Sequence, residues 1–346
     1  MSDFLKNIIK KSGNEYAGIA SDGLEGSDVT GFVDTGSYAF NALLSGSIYG
    51  GIPDNKIIAL AGESATGKTY FALGICKKFL DDNPEAVVLY FDTEQAVTSN
   101  MIADRGMDPS RFAVFPVATV ENFRHQTIQI VDNYIESREA KPIIIVLDSL
   151  GMLSTEKEMT DTADGKNTRD MTRAQLVKGT FRVLTLKLGK AGIPLIITNH
   201  TYANVGGYGA PQVLSGGSGL KYAASTIVML SKSKDKEGID VIGGIIKCKL
   251  YKGRLTKENK EVQVQLNYDT GLNSYYGLVP IAVKYGIFKK VSTRIELPDG
   301  KTAFEKQINS NPEKYFTEEI MWLIEEAAGK EFKYGVTEIE EETIDE

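Results

Sequence analysis

The chain has 346 residues, 42% hydrophobic and 25% charged, close to globular averages; wholesale disorder is excluded and about two domains of ordinary size are expected. Its 39 basic and 46 acidic residues give a net charge of −7, which argues against a generally basic, sequence-blind nucleic-acid binder; six of the acids sit in Thr337–Glu346, and without them 40 acids face 39 bases. Two cysteines, Cys76 and Cys248, and two histidines exclude a disulfide framework, a four-ligand zinc site and a His-rich metal centre, so any metal should be oxygen-ligated.

No apolar run approaches the roughly 20 residues of a membrane span, and none near Met1 resembles a signal peptide, so a cytoplasmic setting with no membrane partner is expected. In chain order, Asp3–Lys11 places Phe4, Leu5, Ile8 and Ile9 on one side of a short helix. A helix that short is marginal alone and needs a surface. With the Gly/Ser/Asp-rich linker Ser12–Asp28 it makes a first region, 1–30, that reads equally as an oligomerising arm or a frayed terminus. From Lys56 to Leu250 short β-branched runs alternate with helical stretches: Ile57–Ala61, Val87–Phe91, Ile143–Leu147, Leu195–Thr198, Thr226–Leu230 and Ile245–Leu250. Near-continuous hydrophobic strands separated by crossovers indicate an α/β class with a mostly parallel, helix-covered sheet. The core is expected over 31–270. A small region, 271–335, comes next: a helix from Tyr275 to Phe288, a hairpin at Arg294–Lys301 around Pro298-Asp-Gly, and an amphipathic helix Thr317–Gly329 containing Trp322. The acidic tail, 336–346, reads as a solvated appendage.

After the first strand comes Gly62-Glu63-Ser64-Ala65-Thr66-Gly67-Lys68-Thr69, then an apolar helix from Tyr70 to Leu80. This is the P-loop pattern between the strand and helix it requires. Its glycines let backbone amides curl around phosphate oxygens at a positive helix N-terminus. Lys68 would reach the β- and γ-phosphates, the Thr69 hydroxyl would hold Mg²⁺, and Tyr70 beside it is a further candidate nucleotide contact. The third strand delivers Asp148, the acid that orders the metal in the second half of a P-loop site, and the neighbouring strand runs into Asp92-Thr-Glu94, where Glu94 could orient the attacking water. His200, at the next strand tip, is either a satisfied structural residue or a γ-phosphate contact that signals to the segment beyond it. That segment, Ala203–Gly219, is rich in glycine, while Gly165–Arg173 is a second polar loop carrying Lys166, Arg169 and Arg173. Finally, Lys247, Lys249, Lys252, Arg254, Lys257 and Lys260 crowd one stretch: a basic strand face, or a source of charge for a nucleotide on the next subunit.

Taken together these residues resemble a known family. Val33-Asp-Thr-Gly-Ser, Leu44-Ser-Gly and Gly50-Gly-Ile-Pro leading into Gly62–Thr69 are similar to the start of the ATPase core of RecA-type recombinases. Phe91-Asp-Thr-Glu94, Asp170-Met-Thr-Arg173-Ala, Thr198-Asn-His200-Thr-Tyr and Gly216-Gly217-Ser218-Gly-Leu-Lys-Tyr222 narrow the resemblance to the UvsX recombinases of T-even-like phages, over roughly residues 1–290. The resemblance implies that Glu94 activates water, Asp148 orders the metal and His200 occupies the γ-phosphate sensor position. It implies DNA-binding loops around Met152–Arg173 and Thr201–Ser218. It further implies Lys252 and Arg254 reaching ATP across a filament interface, Tyr222 at that interface, and the Phe4–Ile9 helix docking on the adjacent protomer. Met101 stands where bacterial relatives place an aromatic over adenine. The P-loop here is complete, where the T-even-phage version departs from the consensus.

The expectation is therefore a DNA-dependent ATPase that uses ATP and Mg²⁺, forms helical filaments on single-stranded DNA and pairs them with homologous duplex. Single-strand-binding and mediator proteins are expected partners. Two rivals share these motifs. A hexameric RecA-fold helicase would usually carry a further N-terminal domain, where only about thirty residues precede the core. A non-hydrolysing filament mediator would not need Lys68, Thr69, Asp148 and Glu94 intact.

Overall fold

A computed structural model of the chain describes residues 2–14, 16–137, 141–166, 172–203, 212–215, 218–268 and 270–335. These divide into two compact units, 1–33 with 53–227 and 34–52 with 228–346.

The first unit is built on a parallel sheet in the order Ile57–Gly62, Leu195–Ala203, Ile143–Asp148, Val87–Asp92, Phe112–Pro116. Ile57–Gly62 is buried throughout, Ile143–Asp148 from Ile144 onward and Leu195–Ala203 from Leu195 to Asn199, which is why they read as continuous apolar runs instead of alternating ones. Register decides what stands at their carboxyl ends. Gly62 pairs with His200, Leu147 with Ile197, and Asp92 with Asp148, so the residues that carry chemistry form one row along an edge of the sheet. Helices Lys68–Asp82, Val120–Ser137 and Arg173–Ala191 are the crossovers.

The polar loop after Asp148 contains structure the sequence does not signal. A short 3-10 turn, Leu150–Met152, leads to the helix Glu156–Ala163, which starts in a capping box between Thr155 and Glu158. The N-terminal helix spans Ser2–Ser12 with Phe4, Leu5 and Ile8 68%, 42% and 49% exposed. The linker after it is held, at least at its end: Asn55 Nδ2 donates to the Asp28 carbonyl at 2.6 Å, and Lys56 Nζ to that of Ser27 at 2.7 Å.

In the second unit the strands Thr226–Glu237, Asp240–Gly253, Glu261–Asn267 and Gly271–Leu272 come one after another, the last three antiparallel. The expected α/β alternation ends earlier than the sequence suggests. Thr226–Leu230 and Ile245–Leu250 are the cores of two long consecutive strands joined at Gly238 (φ +63°), and the half-exposed alternation Ser231–Glu237 is strand, not crossover. Helix Tyr38–Ser45 is buried from Ala39 to Ser45 and capped by the Ser37 side chain. The hairpin expected around Pro298 is present as Arg294–Glu296 paired with Thr302–Ala303, with Lys289–Val291 as a third strand. Two helices differ in extent from expectation. Leu278–Lys284 is shorter, because Gly277 (φ +96°) sets its start, whereas Glu318–Phe332, capped by Thr317, is longer.

Candidate nucleotide-binding site

The site assembles around the end of the strand Ile57–Gly62. The loop curls through Ala65 (φ +62°) and Gly67 (φ +88°), the left-handed conformations that turn successive amides inward. Thr66 Oγ1 donates to the Glu63 carbonyl at 2.9 Å and tightens the loop. Lys68 opens the helix and is buried; its ammonium donates to the carbonyls of Gly62 at 3.0 Å and Glu63 at 2.8 Å. Burial lowers the Lys68 pKa from the usual lysine range, and the nearby carboxylates of Asp148 and Glu94 pull the other way.

Asp148 is buried and takes three hydroxyl donors. Thr69 Oγ1 and Tyr90 OH both donate to Oδ2 at 2.6 Å, and Thr198 Oγ1 donates to Oδ1. Burial and that carboxylate push the Tyr90 phenol well above its ordinary pKa, so it stays a donor. A helix N-terminus presenting one hydroxyl and one carboxylate oxygen side by side is a donor set suited to Mg²⁺. Among the described residues no group of three or more His, Cys, Asp and Glu side chains gathers into a metal site. Cys76 and Cys248 are fully buried, and desolvation raises both thiols, so neither is a reactive centre.

Glu94 stands on the loop after Asp92. Asp92 is buried and organises that loop by accepting from the amides of Glu94 at 3.0 Å and Val97 at 2.9 Å. The Glu94 carboxylate is 42% exposed and meets two groups: Ser149 Oγ donates to Oε1 at 3.4 Å, and His200 Nε2 lies 3.5 Å from the same oxygen. His200 is fixed on its strand by the Asn199 side chain, whose Oδ1 accepts from the His200 amide at 3.0 Å. Asn199 Nδ2 in turn donates to the Ser215 carbonyl at 2.9 Å, which ties the strand tip to the far side of the glycine-rich segment.

The other expected residues are more scattered. Met101 is half-buried in the short helix Ser99–Ala103, and the Tyr70 ring is 44% exposed. Lys166 pairs with Asp164 at 2.9 Å. Arg173 does not project freely: Nε donates to the Leu153 carbonyl at 2.8 Å, and Nη2 to those of Leu150 and Gly151 at 3.2 Å. Arg169, Gly216 and Gly217 lie outside the described residues, as does the acidic tail; Ser218 begins the helix Ser218–Ala223. Gly219 in that helix is required by packing, since a Cβ there would sit 2.9 Å from the Lys178 amide nitrogen. Tyr222 is 64% exposed with the Lys178 ammonium 5.5 Å from its ring centre. Lys252 is near the end of the strand Asp240–Gly253 in the second unit and half-buried, and Arg254 follows the strand directly and is exposed. Neighbouring lysines are engaged within that unit: Lys247 with Glu261 at 2.9 Å and Lys260 with Glu331 at 2.8 Å.

The family model described as RecA N-terminal domain matches residues 1–273. The chain belongs to the RecA family. It is 32% identical over 292 residues to the recombination and repair protein of Enterobacteria phage T4, covering 84% of this chain and 73% of that protein. It is 28% identical over 310 residues to protein RecA of Thermus thermophilus, 86% of each chain, and 26% over 322 residues to that of Paenarthrobacter aurescens, 90% of this chain and 86% of the relative. The RecA-type α/β architecture expected from sequence is thus the observed one. Three members of the site escape sequence reading: Tyr90, Thr198 and Ser149. A hydroxyl inside an otherwise apolar strand, one or two residues from its polar end, is the signal that marks the first two.

Proposed function

We propose that this chain is a DNA-dependent ATPase that polymerises on single-stranded DNA and promotes homologous pairing and strand exchange in recombination, repair and recombination-dependent replication. The observation that carries it is the row Lys68, Thr69, Asp148, Glu94 and His200 along one sheet edge in a member of the RecA family. Phosphates would lie on the loop amides from Gly62 to Thr69, with Lys68 turning from the loop carbonyls to the β- and γ-oxygens. Mg²⁺ bound at Thr69 and Asp148 would neutralise phosphate charge. Glu94 orients the attacking water, and Ser149 and His200 hold its carboxylate in place. Because His200 also leads through Asn199 to Ser215, loss of the γ-phosphate contact is passed to the glycine-rich segment.

In this reading Lys166, Arg169, Gly216, Gly217 and Ser218 contact single-stranded DNA through its backbone, without sequence preference. Arg173 joins them only by giving up its three carbonyls. Lys252 and Arg254 complete the nucleotide site of an adjacent protomer, whose contacts also use Tyr222 and the Phe4 and Ile8 face of the N-terminal helix. Homologous duplex DNA is the second ligand, and single-strand-binding and mediator proteins act on the filament, in the cytoplasm of a host cell if the chain is phage-encoded. Among the described residues no helix is long and apolar enough to cross a membrane. The test is ATP turnover with and without single-stranded DNA across a protein titration. Strong stimulation with sigmoidal protein dependence is expected; turnover indifferent to DNA overturns the reading.

A further inference from the structure

We propose that Tyr70 and Arg105 together form the stacking platform for the nucleotide base, a role the P-loop pattern does not assign. The platform rests on the nucleotide reading of the loop Gly62–Thr69 and adds how the base is held. Tyr70 comes directly after Thr69, on the first turn of the helix Lys68–Asp82, while Phe71 and Phe79 of the same helix are buried. Its ring is the aromatic surface which that helix leaves exposed beside the phosphate loop. The Arg105 guanidinium carbon lies over this ring, 4.5 Å from its centre, a cation–π contact.

Arg105 is a fixed group. Its Nη1 donates to the Met101 carbonyl at 2.7 Å, and its backbone is anchored between Ile102 and Met107, both buried. Gly106 (φ +71°) makes the turn that returns Met107 to the core, with the Met107 amide donating to the Ile102 carbonyl at 3.3 Å. A planar, weakly hydrated guanidinium held on an aromatic ring is a surface on which a purine stacks, and such surfaces discriminate by stacked area instead of by hydrogen bonds. The half-buried Met101 adds a polarizable side wall. The ligand class is therefore a purine nucleotide, with pyrimidine nucleotides held less well and adenine and guanine separated little.

The experiment is calorimetric titration of the full-length protein, without DNA and with Mg²⁺, using ADP, UDP and inorganic tripolyphosphate as probes. Arg105→Ala and Tyr70→Ala should each weaken ADP about fivefold to tenfold, leave tripolyphosphate within about twofold, and abolish the preference of ADP over UDP. Tyr70→Phe should bind ADP as the unmodified protein does, since stacking does not use the hydroxyl. Equal losses for ADP and tripolyphosphate, or no loss of ADP in either alanine variant, overturn the platform while leaving the phosphate site intact. Unmodified protein that binds neither ADP nor tripolyphosphate overturns the nucleotide site itself, and the platform with it.

Discussion

Asp148 in the first unit and Glu331 in the second are both largely buried carboxylates, and each takes three side-chain donors. The donors to Asp148 are hydroxyls, from Thr69, Tyr90 and Thr198. Those to Glu331 include two ammonium groups, Lys260 at 2.8 Å and Lys284 at 2.6 Å, with Tyr285 at 2.8 Å. Hydroxyls orient a buried charge without cancelling it, so Asp148 keeps its appetite for a cation and sits beside Thr69 where a divalent ion has its second oxygen. Glu331 is already neutralised. It ties the helix Glu318–Phe332 to Lys260 and to the helix Leu278–Lys284, and it has nothing left to offer a ligand. A carboxylate satisfied by neutral donors at a strand end is poised for chemistry; one satisfied by cations between helices is a structural tie.

The strongest way to break that division of labour is to find chemistry in the second unit. Lys252→Ala should remove DNA-stimulated hydrolysis, on the order of a thousandfold, as expected for a basic residue supplied across an interface, while the free protomer binds ATP normally. Undiminished turnover would confine the chemistry to the first unit. Next in size, Glu94→Gln should lower turnover about a hundredfold, keep nucleotide affinity within about threefold, and give filaments that persist on single-stranded DNA. Normal turnover in that variant would move the water-orienting role elsewhere, with Asp92 excluded because both its oxygens are committed to loop amides.

What was legible in the sequence, and what was not, divides along a physical line. The P-loop is contiguous, Asp148 ends an apolar run and Glu94 comes two residues after another, so their positions in the row come from chain-local pattern. Tyr90 and Thr198 reach Asp148 only because parallel register sets Leu147 beside Ile197 and Tyr90 beside Val146, and no single strand encodes that. Arg173 reads as a DNA-binding residue because it lies in a polar loop; its carbonyl partners, from the turn Leu150–Leu153 about twenty residues earlier in the chain, are not signalled locally. Thr226–Leu230 and Ile245–Leu250 are apolar whether a crossover or a turn joins them, so the long hairpin was hidden behind a correct reading of each strand.

The smaller effects belong to the structural side of the comparison. Glu331→Gln should destabilise the protein by about 2 kcal/mol at neutral pH, read from urea unfolding, because it leaves the partly buried Lys260 ammonium and the exposed Lys284 ammonium without their shared counter-charge. Asp148→Asn, whose partners are neutral hydroxyls, should cost less stability and far more turnover. The opposite ranking would mean that Asp148 is the tie and Glu331 the ligand.

Acid titration sharpens the same point at the lowest amplitude. Burial alone would raise the Glu331 pKa, but donation from Lys260, Lys284 and Tyr285 more than reverses it and holds the group at about 2, against an ordinary 4.5. A carboxyl depressed in the folded state contributes stability that is fully present above its unfolded value and is lost as pH falls through the folded one. The stability gap between the parent protein and Glu331→Gln should therefore be constant from neutral pH down to about 5. It should shrink progressively between about 4.5 and 2, as protonation removes from the parent what the glutamine has already removed. Urea unfolding midpoints measured at pH 7, 4 and 3 decide it. A gap that stays flat across those three points would mean that the variant loses packing instead of charge, and that the ammonium groups find other partners when Glu331 is gone.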